Sequence, residues 1–245
     1  MTGSSRRPLD RDSGRTLRAR PILARLIENY DGGVIELDHT SPFELLIATV
    51  LSAQSTDKKI NEITKGLFAK YRTPEDYLSV PEEELQSDIR ASGFFRQKTK
   101  AIRGICHALI ADFDGEVPLR MADLITLPGV ARKTANVVLA GSAPEALLAD
   151  PDAGIAVDTH VTRLSKRFGF TRHNDAVKIE KDLMRLFDKG DYASASLVII
   201  LHGRRVCDAL RPRCGACVVE DLCPSSLLAG RRDRANQAKS LGAMG

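Results

Sequence analysis

Four of the five cysteines lie close together near the end of the chain, at Cys207, Cys214, Cys217 and Cys223, separated by six, two and five residues. Disulfides persist mainly in oxidising compartments, and nothing in the sequence indicates secretion, so metal ligation is the leading interpretation. Structural zinc sites built from four cysteines usually contain two CxxC units across a longer spacer. Here a single CxxC is flanked by wider gaps, which favours a [4Fe–4S] cluster over zinc and places disulfides last.

The chain of 245 residues, 43% of them hydrophobic, is long enough for one large domain or two small ones. No apolar run approaches the roughly 18–20 residues of a membrane span, and the arginine-rich N-terminal segment lacks the apolar stretch of a signal peptide. We therefore expect a cytoplasmic protein with a disordered basic tail over residues 1–16. The formal net charge of +4 permits a nucleic-acid partner without requiring one.

Basic residues gather beside two specialised segments. One group flanks or occupies the first gap between the cysteines and consists of Arg204, Arg205, Arg211 and Arg213. The other follows a glycine and consists of Arg96, Lys98, Lys100 and Arg103. Charge runs are usually only solvated faces, but this placement makes phosphate contact an equal alternative.

Hydrophobic residues recur with helical spacing almost throughout the chain, so the sequence predicts an all-α fold. A first helix is predicted to begin at Pro21 and to stop at residues 31–33, and a capping box at residues 41–44 opens the next. The apolar run 197–201 could pass for a buried strand, but it has no partner strand and is predicted to be a buried helix. Cys106 lies on the apolar face of a predicted helix, so we assign it to the core.

Two of these helical patterns meet at a very tight connection, Pro128-Gly129. Proline ends the first helix, and Gly129 can adopt backbone angles that other residues resist. The second helix begins at once, so its first N–H groups form an anion site suited to a DNA phosphate. Lys133 falls in the first turn, where the positive end of the helix dipole suits a neutral, nucleophilic amine. A merely solvated side chain is the plainer interpretation of an arbitrary lysine.

The segment from Leu127 to Ala135 resembles the helix-hairpin-helix of the endonuclease III family of DNA glycosylases. Three more segments resemble that family in the same order: residues 51–57 its lesion-side segment, 157–160 its catalytic loop, and 207–223 its cluster spacing. The resemblance runs from about Leu17 to Cys223. It departs at Ala131, where the family usually has glycine. We expect a somewhat weaker phosphate contact there, with little cost if the backbone is helical, because alanine is a good helix former.

The resemblance implies the roles of the reacting groups. Lys133 matches the lysine that attacks the sugar C1′ of a damaged nucleotide, forms an imine and breaks the strand by β-elimination. Asp158, which the pattern also predicts to be a helix N-cap, matches the carboxylate that stabilises the developing sugar cation.

The resemblance also implies the residues that contact DNA. Gln54 matches the residue that enters the space left by an extruded base, and Phe94 matches an apolar wedge that is leucine in some members. We expect Phe94 to be exposed and Phe95 to be inside. The other implied DNA contacts are Gly129, Ala131, His160, Arg211 and Arg213, and the implied cluster ligands are Cys207, Cys214, Cys217 and Cys223. The cluster is expected to be structural and to position the arginine loop.

The architecture implied by the resemblance has two helical lobes. Residues 35–145 would form a six-helix barrel carrying the hairpin, and residues 17–34 and 146–223 would form the iron–sulfur lobe, followed by a flexible tail at 224–245. Double-stranded DNA with damaged pyrimidines or abasic sites would lie across the cleft, between Lys133 and Asp158 on opposite walls. The expected function is that of a monomeric, bifunctional DNA glycosylase and AP lyase of base excision repair that removes oxidised pyrimidines.

Two alternatives carry different chemistry. The related adenine glycosylases resemble this chain in hairpin, aspartate and cluster, but they lack the nucleophilic lysine, so Lys133 argues against them. A non-catalytic DNA-binding or redox-sensing protein could also use the cluster. Such a protein needs none of Lys133, Asp158 and Gln54, so their joint presence favours the enzyme.

Overall fold

The computed structural model describes residues 14–228, and within that range every regular element is a helix, which confirms the all-α prediction. The α-helices are α1 (Arg15–Asn29), α2 (Pro42–Leu51), α3 (Asp57–Lys70), α4 (Pro74–Ser79), α5 (Glu82–Asp88), α6 (Phe95–Asp112), α7 (Met121–Leu124), α8 (Arg132–Ser142), α9 (Pro144–Ala149), α10 (Thr159–Arg167), α11 (Ala176–Met184) and α12 (Tyr192–Arg205). Short 3₁₀ turns lie at Arg90–Ser92, Lys189–Asp191, Cys214–Ala216 and Glu220–Leu222. None of the helices found in residues 14–228 has the length and apolar character needed to cross a bilayer.

The chain forms two compact units. One unit combines the segment up to Gly33 with the segment from Val157 onward, and it carries α1 and α10 to α12. The other unit, Val34–Ala156, carries α2 to α9. Residues 146–156 therefore lie in the Val34–Ala156 unit, which contains the hairpin. The sequence analysis had assigned them to the iron–sulfur lobe. Of the two predicted tails, residues 1–13 and 229–245 lie outside the described residues.

Helix α1 begins at Arg15 rather than at Pro21, which lies inside it. An interior proline removes one backbone hydrogen bond and crowds the carbonyl four residues earlier, which here belongs to Leu17. Both Pro21 and Leu17 are exposed, so water can reach the freed carbonyl. The predicted stop is confirmed, because residues 31–33 all have positive φ angles.

The predicted capping box at the start of α2 is only half formed. Ser41 Oγ accepts a hydrogen bond from the Glu44 backbone N–H (3.2 Å), as predicted. The Glu44 carboxylate does not return to Ser41. It accepts instead from the backbone N–H and the hydroxyl of Thr40, at 2.6 and 2.8 Å. These bonds fix Thr40, the residue that precedes the N-cap.

The core of the Val34–Ala156 unit includes buried side chains from α2 to α6. Cys106 is fully buried there, as predicted, and burial raises the pKa of its thiol to about 12. Within this unit, α8 can pack closely against α2 because residue 141 is glycine. A Cβ on Gly141 would lie 2.1 Å from Ile35 Cδ1 and 2.7 Å from Leu45 Cδ2.

In the other unit, α12 packs against both α1 and α10. The run 197–201 lies inside α12, which confirms the predicted helix. Gly203 allows α10 to approach, since a Cβ at that position would lie 2.9 Å from His160 Nδ1 and 3.1 Å from Arg163 Nη2.

Candidate functional site

The tight connection between α7 and α8 has the predicted form. The Val130 N–H donates to the Leu127 carbonyl (3.1 Å), and both side chains are buried. Between them Pro128 and Gly129 are exposed, and Gly129 has a φ of +77°. This left-handed angle is strained for residues with a Cβ, so the turn requires glycine there.

Small residues of α6 support the turn from one side. A Cβ on Gly104 would lie 3.3 Å from Pro128 Cβ, and one on Gly129 would lie 3.7 Å from Ala101 Cβ. A larger residue at position 104 would press directly on the proline ring. The backbone of α6 therefore acts as a platform for the turn.

The loop after α9 is hydrogen-bonded to both helices of the hairpin, α7 and α8. Asp150 accepts from the Met121 N–H at the start of α7 (2.5 Å), and the Asp152 carbonyl accepts from Arg132 Nη2 (2.9 Å). Buried Asn136 of α8 accepts from the Gly154 N–H at 2.9 Å. Sequence reasoning missed Asp150 and Asn136. The available signal was an asparagine within the apolar pattern of α8, since buried amides are normally hydrogen-bonded.

Helix α8 begins without a side-chain cap. Its N-cap residue, Ala131, has φ −91° and ψ 167°. Its backbone is therefore extended rather than helical, and the high helix propensity of alanine does not stabilise this position. Any residue adopts these angles, so glycine is not required by backbone conformation. The first turn of α8 contains no acidic residue. Its N-terminus therefore keeps the positive end of the helix dipole uncompensated by any side chain of that turn.

Lys133 is the second residue of α8 and is exposed. Among residues 14–228 its amine has no hydrogen-bond or ion-pair partner. The preceding residue, Arg132, has a different environment because its guanidinium is bound to the Asp152 carbonyl. Lys133 thus presents an amine that the described part of the chain leaves accessible.

Gln54 and Phe94 both adopt the left-handed conformation, with φ angles of 56° and 48°. Such angles cost of order 1–3 kcal/mol in residues other than glycine and persist only where the surroundings impose them. Phe94 is 58% exposed, whereas Phe95 is partly buried against the core, as predicted for this pair. Gln54 is exposed in the turn between α2 and α3.

Half of the basic group that follows Gly93 is structural, which corrects the interpretation of the whole group as a phosphate-contact candidate. Lys98 is buried, and its ammonium donates to the carbonyls of Leu51 (2.7 Å) and Ser92 (2.8 Å). Arg103 donates to two other backbone carbonyls, both at 3.0 Å. Arg96 and Lys100 are exposed. Phosphate contact stays a prediction for these two residues.

Asp158 caps α10, as the sequence predicts. Its Oδ1 accepts from the Val161 N–H at 2.8 Å, and the side chain is half-buried. Within the described range Oδ2 forms no hydrogen bond. One oxygen of the carboxylate therefore stabilises the helix while the other is available.

His160, in the first turn of the same helix, contacts Arg163. His160 Nδ1 lies 3.1 Å from Arg163 Nη2, which also donates to the carbonyls of Gly203 (3.0 Å) and Cys207 (3.2 Å). Because the guanidinium can only donate, Nδ1 is the acceptor in this pair. Burial lowers the pKa of His160, and the charges of Arg163 and Arg204 lower it further while Asp158 opposes them. Arg163 thereby connects α10 with the backbone of the first cysteine.

The four clustered cysteines line one cavity of about 240 Å³. All four thiols are free and partly exposed. Within residues 14–228, no three His, Cys, Asp or Glu side chains converge as closely as one metal ion requires. The cavity is also lined by Phe168, Val206 and Leu210, so its walls are largely apolar. Arg211 and Arg213 are exposed on the loop between the first two cysteines.

Two side chains that the sequence analysis missed contact the sulfur atoms. Arg167 Nη1 donates to Cys207 Sγ (3.1 Å), and Arg167 also holds the carbonyls of Asp208 and Ala209 (2.7 Å each). His202 Nε2 lies 3.3 Å from Cys217 Sγ. His202 is fully buried, which lowers its pKa to about 4, and its other ring nitrogen contacts the Tyr30 hydroxyl at 2.9 Å.

Comparison with known proteins identifies the family to which this arrangement belongs. Residues 47–189 match the HhH-GPD superfamily base excision DNA repair proteins. The chain is 47% identical over 209 residues to endonuclease III of Synechocystis sp., covering 85% of this chain and 93% of that protein. The chain belongs to the endonuclease III family. It is thus a DNA glycosylase and AP lyase of base excision repair.

Other members of the endonuclease III family are similar over most of their length. Endonuclease III of Bacillus subtilis is 48% identical over 189 residues, which cover 77% of this chain and 83% of that protein. A structure of a non-covalent endonuclease III–DNA complex matches with a TM-score of 0.80 and 43% identity, covering 89% of this chain and 98% of that one. A trapped endonuclease III–DNA covalent intermediate matches with a TM-score of 0.79 and 43% identity, over 86% and 96% of the two chains.

Proposed function

We propose that this enzyme excises oxidised pyrimidines from double-stranded DNA with Lys133 as the nucleophile, and then breaks the strand at the resulting abasic site. The observation that carries the proposal is the exposed Lys133 amine, which has no partner among the described residues and follows directly on the Pro128-Gly129 turn. The extended homology to endonuclease III supports it. By the same resemblance we expect a monomer that works in the bacterial cytoplasm.

The proposed reaction proceeds through a covalent imine. The Lys133 Nζ lone pair attacks C1′, and the bond from C1′ to the base breaks, with its electron pair leaving on the base, which takes up a proton. Nζ then loses one of its two protons, and the bond from C1′ to the ring oxygen O4′ breaks with its electron pair going to O4′, which takes up a proton. This opens the sugar and leaves a protonated imine between Nζ and C1′. A proton then leaves C2′ and the 3′ phosphate departs with its electron pair, which is β-elimination. Water finally hydrolyses the imine and frees Lys133.

Asp158 is the proposed carboxylate partner. Positive charge develops on the sugar as the base departs, and a carboxylate directed at that charge lowers the barrier. A carboxylate can also accept and return protons during imine formation. The half-buried Asp158, with one oxygen engaged in the cap and the other available, is suited to this role.

Other groups are proposed to bind the DNA. A base inside a duplex must be extruded before its sugar can react. Gln54 would fill the vacated space and Phe94 would wedge against the opposite strand. The α8 N-terminus, at Gly129 and Ala131, would bind one phosphate. His160, Arg211 and Arg213 would supply further contacts.

Cys207, Cys214, Cys217 and Cys223 would hold a [4Fe–4S] cluster. Four thiols on short loops around one apolar cavity provide the donor set that such a cluster takes. Arg167 and His202 also contact two of the sulfur atoms, and hydrogen bonds to sulfur are typical around iron–sulfur ligands. When bound, the cluster would cross-link the cysteine loops and support the Arg211 and Arg213 loop.

The direct test of the nucleophile is Lys133→Gln. We expect this variant to lose borohydride trapping on a duplex with an abasic site, because no imine can form. Lys58→Gln is a matched control, since Lys58 is also the exposed second residue of its helix, α3. Trapping that persists in Lys133→Gln, or that disappears equally in the control, would overturn the assignment.

The cofactor assignment has its own test. Purified protein should absorb broadly near 400 nm and contain about four irons per chain. Cys214→Ser should reduce the iron content, whereas Cys106→Ala should retain it, because Cys106 lies in the core of the other unit. Stoichiometric zinc in place of iron would contradict the proposal.

A further inference from the structure

Lys98 is a buried cation that the proposed chemistry does not use. Its side chain is 5% exposed, and its ammonium donates to the carbonyls of Leu51 (2.7 Å) and Ser92 (2.8 Å). Leu51 is the last residue of α2, three positions before Gln54, and Ser92 stands two positions before Phe94. One ammonium group thus joins the chain entering the Gln54 turn to the chain entering the Phe94 turn.

This arrangement is costly for a purely structural contact. Lys98 is the fourth residue of α6, close to the positive end of the helix dipole, which disfavours a cation. Burial disfavours the charged form as well, and burial together with the charge of Lys59 lowers the pKa of Lys98. An apolar residue of similar volume at position 98 would avoid both costs, but it would leave the Leu51 and Ser92 carbonyls without this donor. The cost therefore calls for a role that an apolar side chain could not fill.

The two turns that Lys98 joins are the ones that carry strained residues. Gln54 and Phe94 both have positive φ angles, and a strained conformation persists only where surrounding contacts determine it. The Ser55 N–H closes the first turn on the Ser52 carbonyl (3.0 Å), and α3, which follows it, packs against the 3₁₀ turn Arg90–Ser92. The Gln54 and Phe94 turns are therefore neighbours within one unit.

We propose that Lys98 is a positioning residue that locks the Gln54 and Phe94 turns into one rigid insertion device. The inference rests on the proposed function, because it assumes that both side chains enter the DNA. Both side chains must enter the same duplex, so their separation must match the DNA before binding. A lysine is suited to this task because its ammonium can donate to both carbonyls at once. An apolar side chain could donate to neither.

The test compares a substrate that needs insertion with one that does not. Lys98→Met should reduce single-turnover strand cleavage of an abasic site in duplex DNA far more than cleavage of an abasic site in an unpaired single strand. We expect the duplex-to-unpaired ratio to fall by up to about 10²-fold, the loss that a misplacement of about 1 Å can cause. Lys98→Arg, which keeps a multiple donor, should restore most of the ratio.

A double-mutant cycle with Phe94→Ala locates the effect. If Lys98 acts by fixing the two turns relative to each other, Lys98→Met should reduce the ratio less in the Phe94→Ala background than in the unmodified enzyme. Equal losses on both substrates, or effects of the two substitutions that multiply independently, would overturn the proposal. If Lys98→Met does not fold, the same ratio is measured for Lys98→Gln, which replaces the ammonium with a neutral amide on a shorter side chain.

The two proposals fail in different ways. Loss of the Lys133 role would appear as borohydride trapping that survives in Lys133→Gln on either substrate. Loss of the Lys98 role would leave Lys133-dependent trapping intact and remove only the change in the duplex-to-unpaired ratio.

Discussion

The N-termini of α8 and α10 each carry a proposed catalytic side chain but are built in opposite ways. Helix α10 follows the usual rules: Asp158 caps it, and basic residues occupy its last turn. Helix α8 has no side-chain cap, no acid in its first turn, and the cations Arg132 and Lys133 at its positive end. One terminus is locally stabilised, and the other is not.

The contrast shows that α8 lacks stabilising groups at the residues that are proposed to act on DNA. A missing cap costs about 0.5–2 kcal/mol, and a cation at the N-terminus adds to the cost. In the proposed function the uncapped N–H groups at Ala131 bind phosphate and the Lys133 amine reacts, so a cap there would compete with the substrate. At α10 the cap and the proposed catalytic group are the same carboxylate. Only a substitution that separates charge from capping can distinguish those two roles.

Asp158→Asn makes that separation and should have the largest effect. Asparagine caps helices about as well as aspartate, so the melting temperature should change little. Single-turnover base excision should fall by about 10²–10⁴-fold, the usual contribution of a positioned acid–base group, while DNA affinity is largely kept. Stopped-flow or quench kinetics and a binding titration measure the two quantities.

Asp175→Asn is the matched control, because Asp175 caps α11 through the same type of hydrogen bond and accepts from the Lys178 N–H at 3.0 Å. Excision should be unchanged in this variant. If Asp158→Asn lost binding and turnover equally, with a large drop in melting temperature, Asp158 would be only a structural cap.

Ala131→Asp probes the other terminus and should have a smaller effect. An aspartate at the N-cap should stabilise α8 by about 0.5–2 kcal/mol and raise the melting temperature. It should also weaken DNA binding, because its charge occupies the place proposed for a phosphate. Ala131→Ser is the control, since it adds the cap without the charge. Tighter DNA binding by Ala131→Asp at low salt would contradict a phosphate site at this terminus.

The features that sequence reasoning predicted well have local causes. The Pro128-Gly129 turn, the Asp158 cap and the division of Phe94 from Phe95 depend on a few adjacent residues and on hydrophobic spacing. The helical state of residues 197–201 has a different basis, because it was predicted from the lack of a partner strand elsewhere in the sequence, and the structure confirms it.

The features that it missed depend on contacts distant in sequence. Lys98 and Leu51 meet across 47 positions, and Arg167 and Cys207 across 40. No local pattern distinguishes a buried lysine of this kind from the exposed Lys100 beside it. The early start of α1 was missed for a different reason: an interior proline is tolerated at an exposed position of the helix, which the sequence alone does not reveal.

The proposed mechanism requires that one amine, that of Lys133, forms the bond to DNA. The most direct measurement is borohydride reduction of the enzyme on an abasic duplex, followed by nuclease and protease digestion and mass spectrometry of the adduct. If Lys133 is the nucleophile, the reduced sugar is attached to the peptide containing Lys133, at its Nζ. An adduct on Lys58, Lys100 or the chain's N-terminal amine would contradict it.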